Sequence, residues 1–234
     1  MFNRRRIREA TGVSAVIAAG GTSQRMGFDK LTAELYGLPV LLHTINAFEL
    51  CDEIDEIIVV TRGESIPILH AAVKYEGYKK LRSIVKGGET RQQSVYAGVM
   101  ACASETELVC IHDGARPLVT EAVILSAVAA ARRYGAATAA VPVKDTIKQN
   151  DGGFVSKTLP RETLMQVQTP QVFRKVLYLQ AYAQNGADYS DDCQLIESLG
   201  IRVAFSQGDY QNIKLTTEED LIVAEAFLQH REGY

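Results

Sequence analysis

Cysteine and proline are scarce in this chain, which has four cysteines and six prolines in 234 residues. Cys51, Cys102, Cys110 and Cys193 are widely spaced and form no C-x-x-C pair, which excludes a zinc ribbon or a disulfide framework and fits a reducing cytoplasm. An excess of one charge is missing as well. The formal net charge of −3 exerts no long-range pull toward nucleic acid or an anionic membrane, and neither is expected as a partner. Long apolar runs are also lacking: Val13 to Ala19 ends at Gly20-Gly21, and Ala122 to Ala131 is too short to cross a bilayer. The basic run Asn3-Arg4-Arg5-Arg6 before the first apolar stretch imitates the start of a signal peptide, but the glycines cut that stretch short. Residues 1–12 therefore read as a basic extension or part of a surface helix, without a targeting role, and a cytoplasmic location is expected.

Two common phosphate motifs are absent too. The dinucleotide fingerprint needs G-x-G-x-x-G, whereas the glycines here fall at Gly20, Gly21 and Gly27. The P-loop needs Lys directly after its last glycine, and Phe28 and Asp29 separate Gly27 from Lys30.

What is present at the same place still suits a polyphosphate. In Val13 to Lys30, VSAVIAAGGTSQRMGFDK, a short β-branched apolar run reads as a buried parallel strand and empties into a glycine-rich loop. Gly20 and Gly21 let backbone N–H groups approach phosphate oxygens, Arg25 offers a planar fork of donors, and Lys30 offers a concentrated charge. An ordinary strand-to-helix turn with two solvated cations would carry the same residues.

A hydrophobic content of 47% is enough for one large α/β domain. Glu56 to Thr61, Ser83 to Lys86, Glu107 to His112 and Thr138 to Pro142 read as strands. Pro39 to Leu50, Thr90 to Ala103 and Thr120 to Tyr134 read as the helices between them. Such alternation predicts a parallel sheet with helices on both faces and a ligand site at the carboxyl ends of its strands. Asp151-Gly152-Gly153 lies between two alternating stretches, VKDTIKQ and FVSKTLP. That pattern predicts a hairpin arm over about 143–168, inserted between the fourth central strand and the next helix. An exposed two-stranded arm packs on something; a second copy of the chain is the expected partner, and its own domain is the alternative.

Two further segments carry chemistry. In Lys86 to Gly98, Gly87-Gly88 is a tight passage and Thr90 with Gln93 forms a capping box. Helix-start amides and the Ser94 hydroxyl there are able to read a base edge, with Glu89 as an acceptor; a plain capped helix is the other reading. In His112-Asp113-Gly114-Ala115-Arg116-Pro117, Asp113 stands at a strand end where it can orient a cation or hydroxyl. Arg116 presents a fork to phosphate. His112, with no His or Cys in ligand spacing, reads as structural.

AAGGTSQRMGFDK, GGETRQQSV, HDGARP, PVKDTIK, QTPQVF and NIKLTTEEDL follow one another over nearly the whole chain. In that order they resemble the sugar- and polyol-phosphate cytidylyltransferases. HDGARP and PRETLMQVQTPQ favour the family that acts on 2-C-methyl-D-erythritol 4-phosphate. The resemblance implies a single Rossmann-like nucleotidyltransferase domain over 13–230, α/β with a mostly parallel mixed sheet, and a protruding arm that makes a homodimer with shared sites. It implies transfer of CMP from CTP to the polyol phosphate with release of pyrophosphate, in the non-mevalonate isoprenoid pathway. Carried over by position, Arg25 and Lys30 stabilise the triphosphate in the transition state, and Arg161 and Lys214 position the substrate phosphate. Ala18, Ala19, Gly20, Gly21, Gly88, Glu89 and Ser94 hold the nucleotide. Asp113, Arg116, Thr146, Thr169 and Ser190 line the polyol pocket. Mg²⁺ is expected to ride mainly on the triphosphate, with no dedicated protein ligands. Ser190 replaces the usual Thr, keeping the hydroxyl without the methyl, and the loop GGTSQRM runs a residue longer than in some members. The alternatives are a cytidylyltransferase for another polyol phosphate such as ribitol 5-phosphate, and a catalytically silent nucleotide-binding regulator.

Overall fold

The computed structural model describes residues 12–21, 33–184, 189 and 191–232. In chain order the first elements are strands β1 (Gly12–Ala18), β2 (Glu34–Leu35) and β3 (Leu38–Pro39), helix α1 (Val40–Leu50), strand β4 (Glu56–Thr61) and helix α2 (Ile66–Val73). Strand β5 (Leu81–Lys86), helix α3 (Arg91–Ala101), strand β6 (Thr106–Asp113), helix α4 (Glu121–Tyr134) and strand β7 (Ala136–Pro142) complete the alternating part. Then come strands β8 (Lys148–Asp151), β9 (Phe154–Thr158) and β10 (Met165–Arg174), helices α5 (Lys175–Gln184) and α6 (Asp192–Glu197), strand β11 (Ala204–Gln207) and helix α7 (Glu218–Glu232).

Seven strands form one mixed sheet in the order β11-β7-β10-β6-β1-β4-β5. All neighbours pair parallel except β10, which is antiparallel to both β6 and β7. Because side chains alternate along a strand, β1 divides its apolar residues between two cores. Val13, Ala15 and Ile17 pack with Leu41, Ile45 and Phe48 of α1 and Val123 and Ala127 of α4. Val16 packs on the other face with Val95 and Val99 of α3, Tyr178 of α5 and Ile196 of α6. Each large side chain so buried contributes roughly 1.5–3 kcal/mol, and the two cores hold the strand ends in register. Gly98 brings α3 close to the sheet: a Cβ there would collide with Val16 and Val60. A third cluster, Leu35, Val40, Leu118, Leu215 and Ala224, fastens α7 against the segments that flank the cleft.

The expected elements appear with small changes of boundary, but β10 corrects the expected connection. The segment containing QTPQVF is a strand in the middle of the sheet rather than a link from arm to helix. Pro170 conceals it, since proline cannot donate to a ladder and sits in strands mainly at irregularities. The pairing of β10 with β7 does shift register between Val167 and Gln171, around that proline.

The hairpin β8–β9 is joined by Gly152 (φ 56) and Gly153 (φ 90), the positive angles that a tight two-residue hairpin turn demands. Asn150 Oδ1 accepts from the Gly153 N–H at 3.0 Å. Every residue of β8 and β9 is exposed, with Phe154 at 80% and Val155 at 65%. The hairpin is therefore not folded back on its own domain.

Candidate active site

The end of β1, the loop after β5 and the end of β6 open on a cleft of about 340 Å³, a size suited to a small-molecule ligand. Ala18, Ala19, Gly20 and Gly21 form one wall. Backbone bonds from the Ala19 N–H to the Val60 carbonyl (2.7 Å) and from the Gly114 N–H to the Ala18 carbonyl (2.9 Å) tie that wall to both neighbouring strands. The facing wall is Gly88, Glu89 and Ser94. Thr90 caps α3 by accepting from the Gln93 N–H at 3.2 Å, while Gln93 Oε1 accepts from the Glu89 and Thr90 N–H groups at 2.8 and 3.4 Å. The expected capping box is present. The Ser94 hydroxyl accepts from the Gly88 N–H at 3.1 Å and donates to the Thr90 carbonyl at 2.8 Å. It builds the glycine loop as well as lining the cleft.

Asp113 lies at the end of β6 with three cations around its carboxylate. Lys214 Nζ is 2.8 Å away, Arg91 Nη2 3.4 Å and Arg116 Nε 3.8 Å. Burial by itself would raise this carboxyl, but Arg91, Lys214 and Arg116 together hold it well below the usual carboxylate range. Lys214 and Asp113 both line the cleft. Arg116 stands behind it, its Nη1 donating to the Asn212 carbonyl at 2.6 Å.

Sequence reasoning missed Arg91 and Asp192. Arg91, the first residue of α3, lines the cleft and donates through Nη1 to Asp192 Oδ2 at 2.6 Å. Burial alone would lower the Arg91 guanidinium, but Asp192 and Asp113 raise it further above its already high value. Asp192 is 1% exposed; burial pushes its carboxyl up and Arg91 pulls against that. The Tyr178 hydroxyl donates to Asp192 Oδ1 at 3.3 Å, and the Asp192 N–H donates to Gln171 Oε1 at 3.2 Å. A charged residue directly after a helix cap at the ligand rim was the available signal for Arg91. Asp192 had none, because its partners are distant in the chain.

The remaining expected residues are not gathered in the cleft. Thr146 and Arg161 are exposed on the arm and its base, with Arg161 Nη1 donating to the Lys144 carbonyl at 2.8 Å. Thr169 is 4% exposed, and its hydroxyl is engaged with the Asp113 N–H (3.1 Å) and His112 Nδ1 (3.0 Å). His112 is fully buried, as a structural histidine should be, and burial drives its imidazole down to about 4. Arg25, Lys30 and Ser190 lie outside the described residues.

A mixed α/β sheet whose glycine-rich strand ends face a charged cleft is the arrangement expected of a nucleotide-binding enzyme. Residues 13–230 match the family model described as IspD, 2-C-methyl-D-erythritol 4-phosphate cytidylyltransferase, and the chain belongs to that family. It is 46% identical over 226 residues to the 2-C-methyl-D-erythritol 4-phosphate cytidylyltransferase of Desulforamulus reducens, with 94% of this chain and 97% of the relative covered. Its counterpart in Caldanaerobacter subterraneus is 47% identical over 224 residues, with 93% and 99% covered. Among solved structures, 4-diphosphocytidyl-2C-methyl-D-erythritol synthase from Anaerococcus prevotii superposes with a TM-score of 0.83 at 35% identity, with 94% and 100% of the two chains covered.

Proposed function

We infer that the chain transfers CMP from CTP to 2-C-methyl-D-erythritol 4-phosphate, giving the cytidine diphosphate of methylerythritol and pyrophosphate for isoprenoid synthesis. The observation that carries this reading is the cleft itself. Two glycine-rich backbone walls stand across from a cation cluster at Asp113 and Lys214, which gives a place for a nucleotide and a second place for an anion.

A phosphate oxygen of the acceptor attacks the α-phosphorus of CTP, and pyrophosphate leaves in line. A phosphate dianion needs no general base at neutral pH, so the protein's task is to position two anions and offset their repulsion. Ala18 to Gly21, Gly88, Glu89 and Ser94 hold the nucleotide, and Arg25 and Lys30 are assigned by the family resemblance to its triphosphate. Lys214, parked on Asp113 at 2.8 Å, is free to exchange that partner for the incoming phosphate. Asp113, Arg116, Thr169 and Ser190 shape the acceptor pocket.

Arg161 and Thr146 serve this chemistry from a second subunit. An arm with Phe154 and Val155 exposed leaves apolar surface for another copy of the chain, and the homodimer places each arm at its twin's cleft. The donor set suits Mg²⁺ carried by the nucleotide. Glu89 and Asp113 are the cleft carboxylates among the described residues, and Asp113 already faces three cations. The ion would be held mainly through the triphosphate and would supply charge neutralisation. Among the described residues no helix is long and apolar enough to cross a membrane, and a cytoplasmic location suits four buried free thiols.

Pyrophosphate release from CTP and Mg²⁺ with a panel of polyol phosphates tests the reading. Methylerythritol phosphate is expected to exceed ribitol 5-phosphate at least tenfold in kcat/KM, about 1.4 kcal/mol of transition-state discrimination. The opposite preference would make the chain a different cytidylyltransferase, and no release with any acceptor would leave a nucleotide-binding module.

A further inference from the structure

Three segments far apart in the chain, 112–116, 168–169 and 212–214, meet behind the cleft in a closed circuit of hydrogen bonds. Asn212 Nδ2 donates to the Thr169 carbonyl at 2.8 Å. Arg116 Nη1 donates to the Asn212 carbonyl at 2.6 Å. His112 Nε2 faces the Arg116 carbonyl at 3.2 Å, and His112 Nδ1 faces the Thr169 hydroxyl at 3.0 Å. That hydroxyl oxygen also accepts from the Asp113 N–H at 3.1 Å.

The sense of each link follows from its chemistry. A carbonyl only accepts, so His112 Nε2 must carry the proton and donate to Arg116. His112 Nδ1 is then a lone pair, and the Thr169 O–H donates to it. The threonine oxygen is left as acceptor for the Asp113 N–H. In the other neutral tautomer the Nε2 lone pair would face the Arg116 carbonyl. In the doubly protonated ring the Thr169 O–H would lose its acceptor. The imidazole is 0% exposed, with Phe48 of α1 at 4.9 Å. Its charged neighbours are Asp113 and Arg116 from its own segment and Lys214 from the loop before α7.

We propose that His112 is a positioning residue whose neutral Nε2–H form closes this circuit and thereby holds the Asp113 carboxylate and the Lys214 loop in the geometry that captures the acceptor phosphate. The circuit touches the reaction through its two outlets. Asp113 is both a donor into the circuit and the ion-pair partner of Lys214. Asn212 lies two residues before Lys214, and the next residue, Leu215, is pinned by its N–H to the Ala115 carbonyl at 2.8 Å. The side-chain bonds of the circuit do not reach the nucleotide walls: Gly88 is held by the Ser94 hydroxyl, and Ala18 to Gly21 by backbone bonds to Val60 and from Gly114 that do not involve the His112 ring. This proposal rests on the cytidylyltransferase reading above, and wild-type turnover of CTP with methylerythritol phosphate is the control that separates the two.

Replacing His112 by Phe keeps an aromatic ring beside Phe48 and removes both links. With wild-type turnover established, H112F is expected to lower kcat/KM for methylerythritol phosphate at least tenfold while the Kd for CTP, titrated without acceptor, changes less than threefold. H112Q, which restores a donor toward Arg116, is expected to recover part of that loss. N212L breaks the circuit at its opposite side and is expected to reproduce the same split, and H112F/N212L is expected to be within threefold of the worse single variant, because both break one unit. Activity of H112F within threefold of wild type, an equal loss for both substrates, or additive losses would overturn the proposal. A measurement on the unaltered protein guards against misfolded variants: ¹⁵N-histidine NMR is expected to show His112 as the Nε2–H tautomer, unchanged between pH 8 and 5.5. An Nδ1–H tautomer, or titration of that ring near pH 6.5, would overturn it as well.

Discussion

The hairpin arm and the rim of the cleft solve opposite problems. In the arm, strands β8 and β9 satisfy each other's backbone with a turn of two positive-φ glycines, yet every residue stays exposed. At the rim, the strongest contacts of the buried carboxylates are long-range. Asp113 meets Arg91 and Lys214, the Asp192 carboxylate meets Arg91 and Tyr178, and Thr169 meets His112. The arm is locally complete, and its apolar side chains Phe154 and Val155 stay exposed. At the rim Asp113 and Asp192 are buried, and both carboxylates depend on cations brought from elsewhere in the fold. Damage to the arm should therefore leave the subunit's own fold nearly intact, and damage to the rim should unravel both stability and turnover.

The largest expected effect tests whether the arm finds a partner in a second subunit. Arg25→Ala and Arg161→Ala proteins are each expected to be inactive. Mixed in equal amounts and allowed to exchange subunits, they should regain roughly a quarter of wild-type activity, since about half the dimers are mixed and each carries one intact site. Failure to recover after exchange has been verified would show that arm and cleft act within one chain.

Next is the buried pair at the rim. Asp192→Ala leaves the Arg91 guanidinium without its 2.6 Å partner, and breaking a buried pair in this way costs about 3–5 kcal/mol. For a chain of this size, calorimetry should show the midpoint falling by about 10 °C. A shift below about 2 °C would place the rim with the arm among locally sufficient structures.

The smallest effect is in pH. The native His112 imidazole resists protonation down to about pH 4, whereas an unfolded one titrates near 6.5. Between those values the unfolded chain binds a proton that the native chain refuses, so stability falls as pH drops from about 6.5 to about 4. The loss is about 3 kcal/mol. Urea unfolding across that window should show the slope in the wild type and a flatter one in His112→Gln. Equal slopes would mean that the burial of this ring contributes nothing to acid sensitivity.

The same contrast explains what was legible in the amino-acid order. Strand β4 falls on Glu56 to Thr61 as expected, and the Thr90 cap and the Gly152-Gly153 turn are where local chemistry puts them. These features need only neighbours within a few residues. Of the expected site, Ala18 to Gly21, Gly88, Glu89, Ser94, Asp113 and Lys214 converge on one cleft, because strand ends in a parallel sheet share a rim. Strand β10 was hidden by Pro170. The Arg91–Asp192 pair and the circuit through His112 were hidden for another reason: a salt bridge across 101 positions leaves no local pattern.

By itself the amino-acid order determined the alternating elements, the glycine-rich passages, the hairpin and the family to which the chain belongs, since each of these is set by short-range backbone preference or by motifs in register. Only the tertiary structure decided the antiparallel course of β10, the engagement of the Thr169 and Ser94 hydroxyls, and the cations gathered on Asp113. Those depend on which distant polar groups are buried together. A buried hydroxyl or carboxylate takes its role from the partner it finds there.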